Sequence, residues 1–103
     1  MVTVRLLPEL SVWLDTVKDK TARGAIVSAI KKLRYGLGDT KALSGGLFEC
    51  RIHVGAGWRL YFVRNGAEII ILLVGGKKGT QRSDIQAAKH LAKKLVLPQG
   101  GKP

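Results

Sequence analysis

The chain has 103 residues, of which 46% are apolar and 24% charged, and such proportions are typical of a folded domain rather than a disordered segment. This length predicts one domain, spanning residues 1–97, with 98–103 as a flexible C-terminal tail. The longest apolar run, at 69–74, is far shorter than the roughly 20 residues of a membrane helix. Since no apolar leader opens the chain either, we expect a cytoplasmic protein without a membrane partner.

The net charge is the most informative feature of the composition. Eighteen Lys and Arg oppose seven Asp and Glu, a formal net charge of +11, and residues 51–103 hold ten of the basic side chains against two acidic ones. An excess of one sign attracts an oppositely charged partner, and nucleic acid is the densest common polyanion. The simpler alternative is that these side chains only solvate the surface.

The first half predicts one strand and two helices. Residues 2–6 alternate in polarity like a strand, and Pro8 suits the first turn of a helix. That helix has apolar positions three and four residues apart, at Leu10, Trp13, Leu14 and Val17. After a break at 19–21, a second helix carries the apolar stripe Ala22, Ala25, Ile26, Ala29, Ile30 and Leu33. Two helices joined so closely form a hairpin that can lie on one face of a sheet.

The second half predicts three strands. Residues 48–54 and 58–63 alternate in polarity around a glycine-rich turn at 55–57. Asn65-Gly66 favours a type I′ hairpin. The uninterrupted apolar run at 69–74 is typical of a strand covered on both faces.

The chain is predicted to close with a loop and a helix. Residues 75–79 are glycine-rich and predict a loop, and Ser83 with Gln86 fits a capping box that opens the helix. The helix has the apolar stripe Ile85, Ala88, Ala92 and Leu95. The fold class is therefore α+β in the order β-α-α-β-β-β-α, with the helical hairpin packed on a small, mostly antiparallel twisted sheet.

Strand alternation groups the candidate functional residues on one face, because successive side chains of a strand point to opposite sides. If the strands pair around the 55–57 turn, the following side chains share one exposed polar surface: Glu49, Arg51, His53, Arg59 and Tyr61. Lys77 and Lys78 follow the third strand and could close over the rim of this surface.

Such a surface suits RNA cleavage without a metal, which needs a base, cations around the crowded phosphorus and an acid. Arginine and lysine bind phosphate oxygens, while histidine and carboxylates transfer protons. The predicted catalytic residues are Arg51, Arg59, His53 and Glu49. The predicted RNA- and phosphate-binding residues are Lys77, Lys78, Tyr61 and Arg82. With one cysteine, Cys50, and two histidines far apart in the chain, neither a metal nor another cofactor is predicted.

Simpler roles exist for three of these residues. Glu49 next to Arg51 on one strand face can be a surface ion pair worth about 0–1 kcal/mol. His53 can be an inert histidine at a strand edge. Tyr61 can be a packing residue with its hydroxyl at the surface.

The order and spacing of several segments resemble the RelE/ParE toxin superfamily, and most closely its HigB-like, phage Gp49-like branch of addiction-module killer proteins. These segments are residues 48–52, 57–62 and 72–78, followed by Gln81 and Asp84-Ile85. The resemblance covers roughly residues 2–95. It implies a compact toxin inhibited by a small antitoxin that is usually a helix-turn-helix DNA-binding protein.

The resemblance leaves two activities open. Many relatives cleave mRNA on the ribosome without a metal, and by motif position Arg51 and Arg59 match basic strand residues used on RNA there. ParE-type relatives instead inhibit DNA gyrase by protein contact. A nontoxic relative that binds only its antitoxin is the third possibility. This sequence departs from well-known cleaving members in having Glu49 where some carry lysine, and no tyrosine or histidine between Lys78 and His90.

Overall fold

The computed structural model describes residues 1–66 and 69–95, in which one five-stranded mixed sheet is combined with three α-helices. The elements are β1 (Thr3–Leu6), α1 (Pro8–Thr16), α2 (Lys20–Leu33), β2 (Asp39–Ala42), β3 (Leu47–Ile52), β4 (Trp58–Asn65), β5 (Ile69–Lys77) and α3 (Gln81–Lys94), with one 3₁₀ turn (Ser44–Gly46) before β3. The strand order is β1-β5-β4-β3-β2, and only β1 and β5 run parallel. The predicted α+β class and mostly antiparallel sheet are confirmed. The predicted tail at 98–103 lies outside the described residues.

Residues that favour the start of a helix lie at the beginning of both N-terminal helices. α1 begins at Pro8, and the Asp19 carboxylate caps α2 by accepting the backbone N–H groups of Thr21 at 2.9 Å and Ala22 at 3.2 Å. Such a cap satisfies N–H groups that have no partner within the helix. The apolar stripes of both helices pack on one face of the sheet against a cluster that includes Leu60 and Phe62. The predicted helical hairpin is therefore confirmed.

The opposite face of the sheet is covered by α3. A second core forms there from Leu47, Tyr61, Val63, Ile71, Leu73 and Ala88. Alternate residues of β5 point into the two cores, so the prediction of a strand covered on both faces is confirmed. The sheet is thus the middle of three layers, and much of the face expected to be an exposed polar surface is buried.

The predicted order lacked β2, which pairs antiparallel with β3 and places Asp39 opposite Arg51. All four β2 residues are exposed. Because neither face of this edge strand is buried, its sequence has no alternation of polarity to reveal it. No helix of the part of the chain that the structure describes is long and apolar enough to cross a membrane.

Three predicted boundaries are wrong. The loop predicted at 75–79 starts too early, since β5 continues to Lys77. The predicted capping box is also wrong, because α3 begins at Gln81 and the Ser83 hydroxyl, already inside the helix, donates to the Thr80 carbonyl. At the predicted type I′ turn, Asn65 still belongs to β4 and pairs with Ile69. The positive φ is at Gly66, and the next two residues are outside the described ranges.

Gly75 and Gly76 lie inside β5 because side chains from both helical layers contact the strand backbone there. A Cβ on Gly75 would lie 2.2 Å from the Trp13 ring, and one on Gly76 would meet the Asp84 carboxylate. Glycine in a strand often marks such a close approach. This packing joins α1 and α3 to the same end of β5.

Replacing Gly75 with alanine is expected to destabilise the protein by about 1–3 kcal/mol, the usual cost of overpacking a core. Gly24→Ala is the matched control, since a Cβ there meets nothing within 4 Å on the exposed side of α2. That change should stabilise the helix by about 0.5–1 kcal/mol. Chemical denaturation of both variants measures the difference, and equal stability would contradict the packing of Trp13 on the strand.

Candidate functional site: a basic groove at the β3–β4 turn

An open pocket of about 350 Å³ lies at the end of the β3–β4 hairpin. It brings together four of the eight predicted site residues: Arg51, His53, Arg59 and Lys78. The turn at 55–57 forms its outer wall, and Ile52 and Trp58 form part of its lining. We call this pocket the arginine groove.

The arginine groove lies on the part of the β3–β4 sheet face that α3 does not cover. Further along the strands the same face carries Leu47, Tyr61 and Val63, which are buried against α3. Arg51 and Arg59 lie directly opposite each other on β3 and β4, on the hairpin end of this face. Like charges opposite each other in a sheet are unfavourable, so each arginine needs an acidic partner or an anionic ligand.

Asp39 of β2 is the acidic partner on the open side. Its Oδ1 lies 3.3 Å from Arg51 Nη2, and its Oδ2 lies 2.6 Å from His53 Nε2. The hydrogen bond from His53, together with Arg51, holds the pKa of Asp39 below its usual value. Asp39 therefore carries a negative charge that orients the imidazole. Sequence analysis missed this residue, because it lies on the unrecognised strand β2.

Glu49 is the acidic partner on the buried side. Its Oε2 lies 3.3 Å from Arg59 Nε, and the two side chains are only 7% and 14% exposed, respectively. The predicted surface position of Glu49 is therefore wrong, as is the alternative of a surface pair with Arg51. A buried carboxylate held by arginine is badly placed to take a proton from a substrate, but it fixes the position of the guanidinium.

Tyr61 is also in the interior, so its predicted place on an exposed polar surface is wrong. The side chain is fully buried beneath α3, next to Glu49. Burial raises the pKa of Tyr61 to about 12, and the neighbouring Glu49 and Asp84 carboxylates add to the effect. In this structure Tyr61 packs in the second core beside the groove.

The raised pKa of Tyr61 predicts a loss of stability at alkaline pH. In the unfolded chain the phenol ionises near pH 10, whereas in the folded protein it stays protonated to about 12. The stability that this protonation adds is complete below pH 10 and is lost as pH rises towards 12. Ultraviolet titration of the Tyr35→Phe variant, which retains only Tyr61 of the two tyrosines, should show phenolate only near pH 12. Titration near pH 10 in the folded protein would contradict the burial.

The two lysines after the core of β5 point to different places. Lys78 lines the arginine groove, whereas Lys77 pairs in register with Trp58 and holds its Nζ 5.4 Å from the centre of that ring. Arg82 is exposed on the first turn of α3 and lines neither neighbouring pocket. Of these two lysines, Lys78 therefore lines the arginine groove and Lys77 does not.

The charged and titratable residues that line the groove are three cations and one imidazole, a set that suits an anionic ligand better than a metal ion. Within the described ranges no three His, Cys, Asp or Glu side chains lie together as a metal site would need. Two arginines and a lysine around a histidine can neutralise a phosphate and move a proton.

Comparison with known proteins identifies a family and a relative of this chain. The family model described as "Phage derived protein Gp49-like (DUF891)" matches residues 13–96. An uncharacterized protein from Haemophilus influenzae is 43% identical over 86 residues, which cover 82% of this chain and 87% of the relative. No solved structure matches the chain.

Proposed function

This chain belongs to the Gp49-like family of phage-derived proteins, a family associated with toxin–antitoxin addiction modules, and we propose that it is a toxin that cleaves mRNA on the ribosome. The family implies an antitoxin as the partner, and we propose that this antitoxin is a small helix-turn-helix protein. The observation that carries the proposed activity is the arginine groove, where three cations surround a histidine that is bound to a carboxylate.

The cations of the groove can stabilise the negative charge that develops on the phosphate in the transition state. Attack of a 2′-hydroxyl on the adjacent phosphorus adds negative charge to the non-bridging oxygens, and donors already fixed in place stabilise that charge. Arg51 and Arg59 lie on facing strands and bind these oxygens from one side. The buried ion pair with Glu49 holds Arg59 in position, and the surface ion pair with Asp39 orients Arg51, so less ordering of the two guanidiniums is needed when the substrate binds. The positive charge comes from side chains, and the proposal needs no metal.

His53 is the proposed general base. When its Nε2–H donates to Asp39, the free lone pair lies on Nδ1 and accepts the proton of the 2′-hydroxyl. The O2′–P bond forms as the P–O5′ bond breaks, and Lys78 donates a proton to the leaving 5′ oxygen. The products are a 2′,3′-cyclic phosphate and a 5′-hydroxyl. Asp39 acts as a positioning residue that sets the tautomer.

The first experiment is to induce the protein in growing cells and map the 5′ ends of transcripts. We expect growth arrest with new ends inside translated messages. Arrest with intact messages would contradict the proposal, and DNA damage signalling without cut RNA would support gyrase inhibition instead.

The same assay distinguishes the two histidines of the chain. His53→Ala should reduce cleavage by about 10²–10⁴-fold, the usual contribution of a general base. His90→Ala is the matched control, because His90 is exposed on α3 away from the arginine groove and its loss should leave cleavage unchanged. Equal cleavage by both variants would remove His53 from the proposed site.

A further inference from the structure

A second groove lies on the other side of the 55–57 turn, between the end of α1 and the start of α3. Its volume is about 740 Å³, within the usual range of small-molecule sites. It shares Gly55, Ala56 and Trp58 with the arginine groove. The two grooves are therefore adjacent and are separated by the turn.

Both tryptophans of the chain line this second groove, which we call the tryptophan groove. Their ring centres are 6.1 Å apart with an angle of 61° between the planes. Trp58 is largely buried, while Trp13 is partly exposed and lies against the β5 backbone at Gly75. Because Gly75 has no side chain, the Trp13 ring can pack on the strand there and form an aromatic surface at the bottom of the groove.

The charges of the tryptophan groove favour an uncharged base inside and a phosphate outside. Asp19 and Asp84 line it and repel a phosphate from the interior, although Asp19 already caps α2 and Asp84 accepts the Thr80 hydroxyl at 2.6 Å. Lys18 and Lys77 are exposed at the groove, and the Lys77 ammonium lies near the Trp58 ring. The Ser83 hydroxyl, which donates to the Thr80 carbonyl, can accept a hydrogen bond from the edge of a base.

We propose that the tryptophan groove binds one unpaired nucleobase of the RNA whose phosphate lies in the arginine groove, with Lys77 on the phosphate next to that base. This inference rests on the proposed function and names a subsite for it. Single-stranded RNA is commonly recognised by bases stacked on aromatic side chains. This arrangement gives the two adjacent lysines separate roles. Lys78 contacts the reacting phosphate in the arginine groove, and Lys77 contacts the neighbouring phosphate at the tryptophan groove.

The fluorescence of the Trp58→Phe variant tests this directly, because its remaining tryptophan, Trp13, lines the tryptophan groove and not the arginine groove, whereas Trp58 lines both. The probe is a short single-stranded oligodeoxynucleotide, which lacks the 2′-hydroxyl and cannot be cut by the proposed reaction. An abasic oligonucleotide of equal length carries the same phosphates without bases. We expect a saturable change in emission with the first and none with the second. No saturable change, or the same change with both, would overturn the proposal.

A pair of lysine variants completes the experiment. Lys77→Gln should weaken oligonucleotide binding by about threefold to tenfold, as expected from loss of one phosphate contact. Lys94→Gln, an exposed change at the far end of α3, should bind like the unmodified protein. Equal affinities of the two variants would contradict the role of Lys77.

The fluorescence and cleavage experiments test the nucleobase site and the proposed nuclease activity separately. Message cleavage without a base-dependent change in emission would overturn the nucleobase site and leave the nuclease standing. A base-dependent change without message cleavage would support the site and contradict the nuclease.

Discussion

Arg51→Ala is expected to reduce message cleavage by about 10²–10³-fold, the usual cost of removing one fixed donor to transition-state charge. The protein should remain folded, because the Arg51 side chain is 38% exposed and its ion pair with Asp39 is on the surface, where such pairs contribute about 0–1 kcal/mol. The measurement is the cleavage rate of a ribosome-bound message by purified protein, together with the unfolding midpoint.

Arg64→Ala is the matched control for Arg51. Arg64 is an exposed arginine of β4 whose guanidinium lies 4.9 Å from the centre of the Phe48 ring, outside the arginine groove. The Arg64→Ala substitution removes one positive charge, as Arg51→Ala does, but leaves the arginine groove unchanged. This variant should retain cleavage. If both variants cleave at the rate of the unmodified protein, the groove does not stabilise the reacting phosphate.

Arg59→Ala is expected to act on stability as well as on cleavage. Its loss leaves the buried Glu49 carboxylate without its cation, and breaking such a pair typically costs about 3–5 kcal/mol. Strand alternation alone places Arg59 on an exposed surface, whereas in the structure its side chain is only 14% exposed and lies beside Glu49. Denaturant unfolding of the variant measures the loss.

A second substitution separates the two roles of Arg59. Glu49→Gln in the Arg59→Ala background removes the unpaired charge, so the double variant should be more stable than Arg59→Ala alone. Cleavage should stay lost in both, because the cation at the phosphate is still missing. If the double variant were no more stable, the ion pair would not be the reason for the destabilisation, and recovered cleavage would exclude Arg59 from the site.

Strand alternation correctly assigned side chains to the two faces of the sheet, but could not show which face was open. Along β4 the second face changes from Arg59 to Tyr61 and Val63. This change from polar to apolar was the available signal of a second core. Recognising this second core also required knowing that the apolar stripe of α3 packs on Tyr61 and Val63, and these segments come together only in the folded chain.

The residues that sequence reasoning missed depend on pairing between distant segments. Asp39 reaches Arg51 and His53 only because β2 adds to the edge of β3, and a fully exposed edge strand has no polarity pattern. Likewise Gly75 was attributed to a loop, since the Trp13 ring that requires it comes from a helix more than fifty residues earlier.

The most direct test of the proposed reaction uses a ribosome-bound message in which a single nucleotide, the one on the 5′ side of the cut, carries 2′-deoxyribose. In the proposed reaction, that nucleotide's 2′-hydroxyl attacks the phosphorus held in the arginine groove. We therefore predict that the unmodified message is cut to a 2′,3′-cyclic phosphate and a 5′-hydroxyl, and that the deoxy message stays intact at that position. Cleavage of the deoxy message at an unchanged rate would contradict the account.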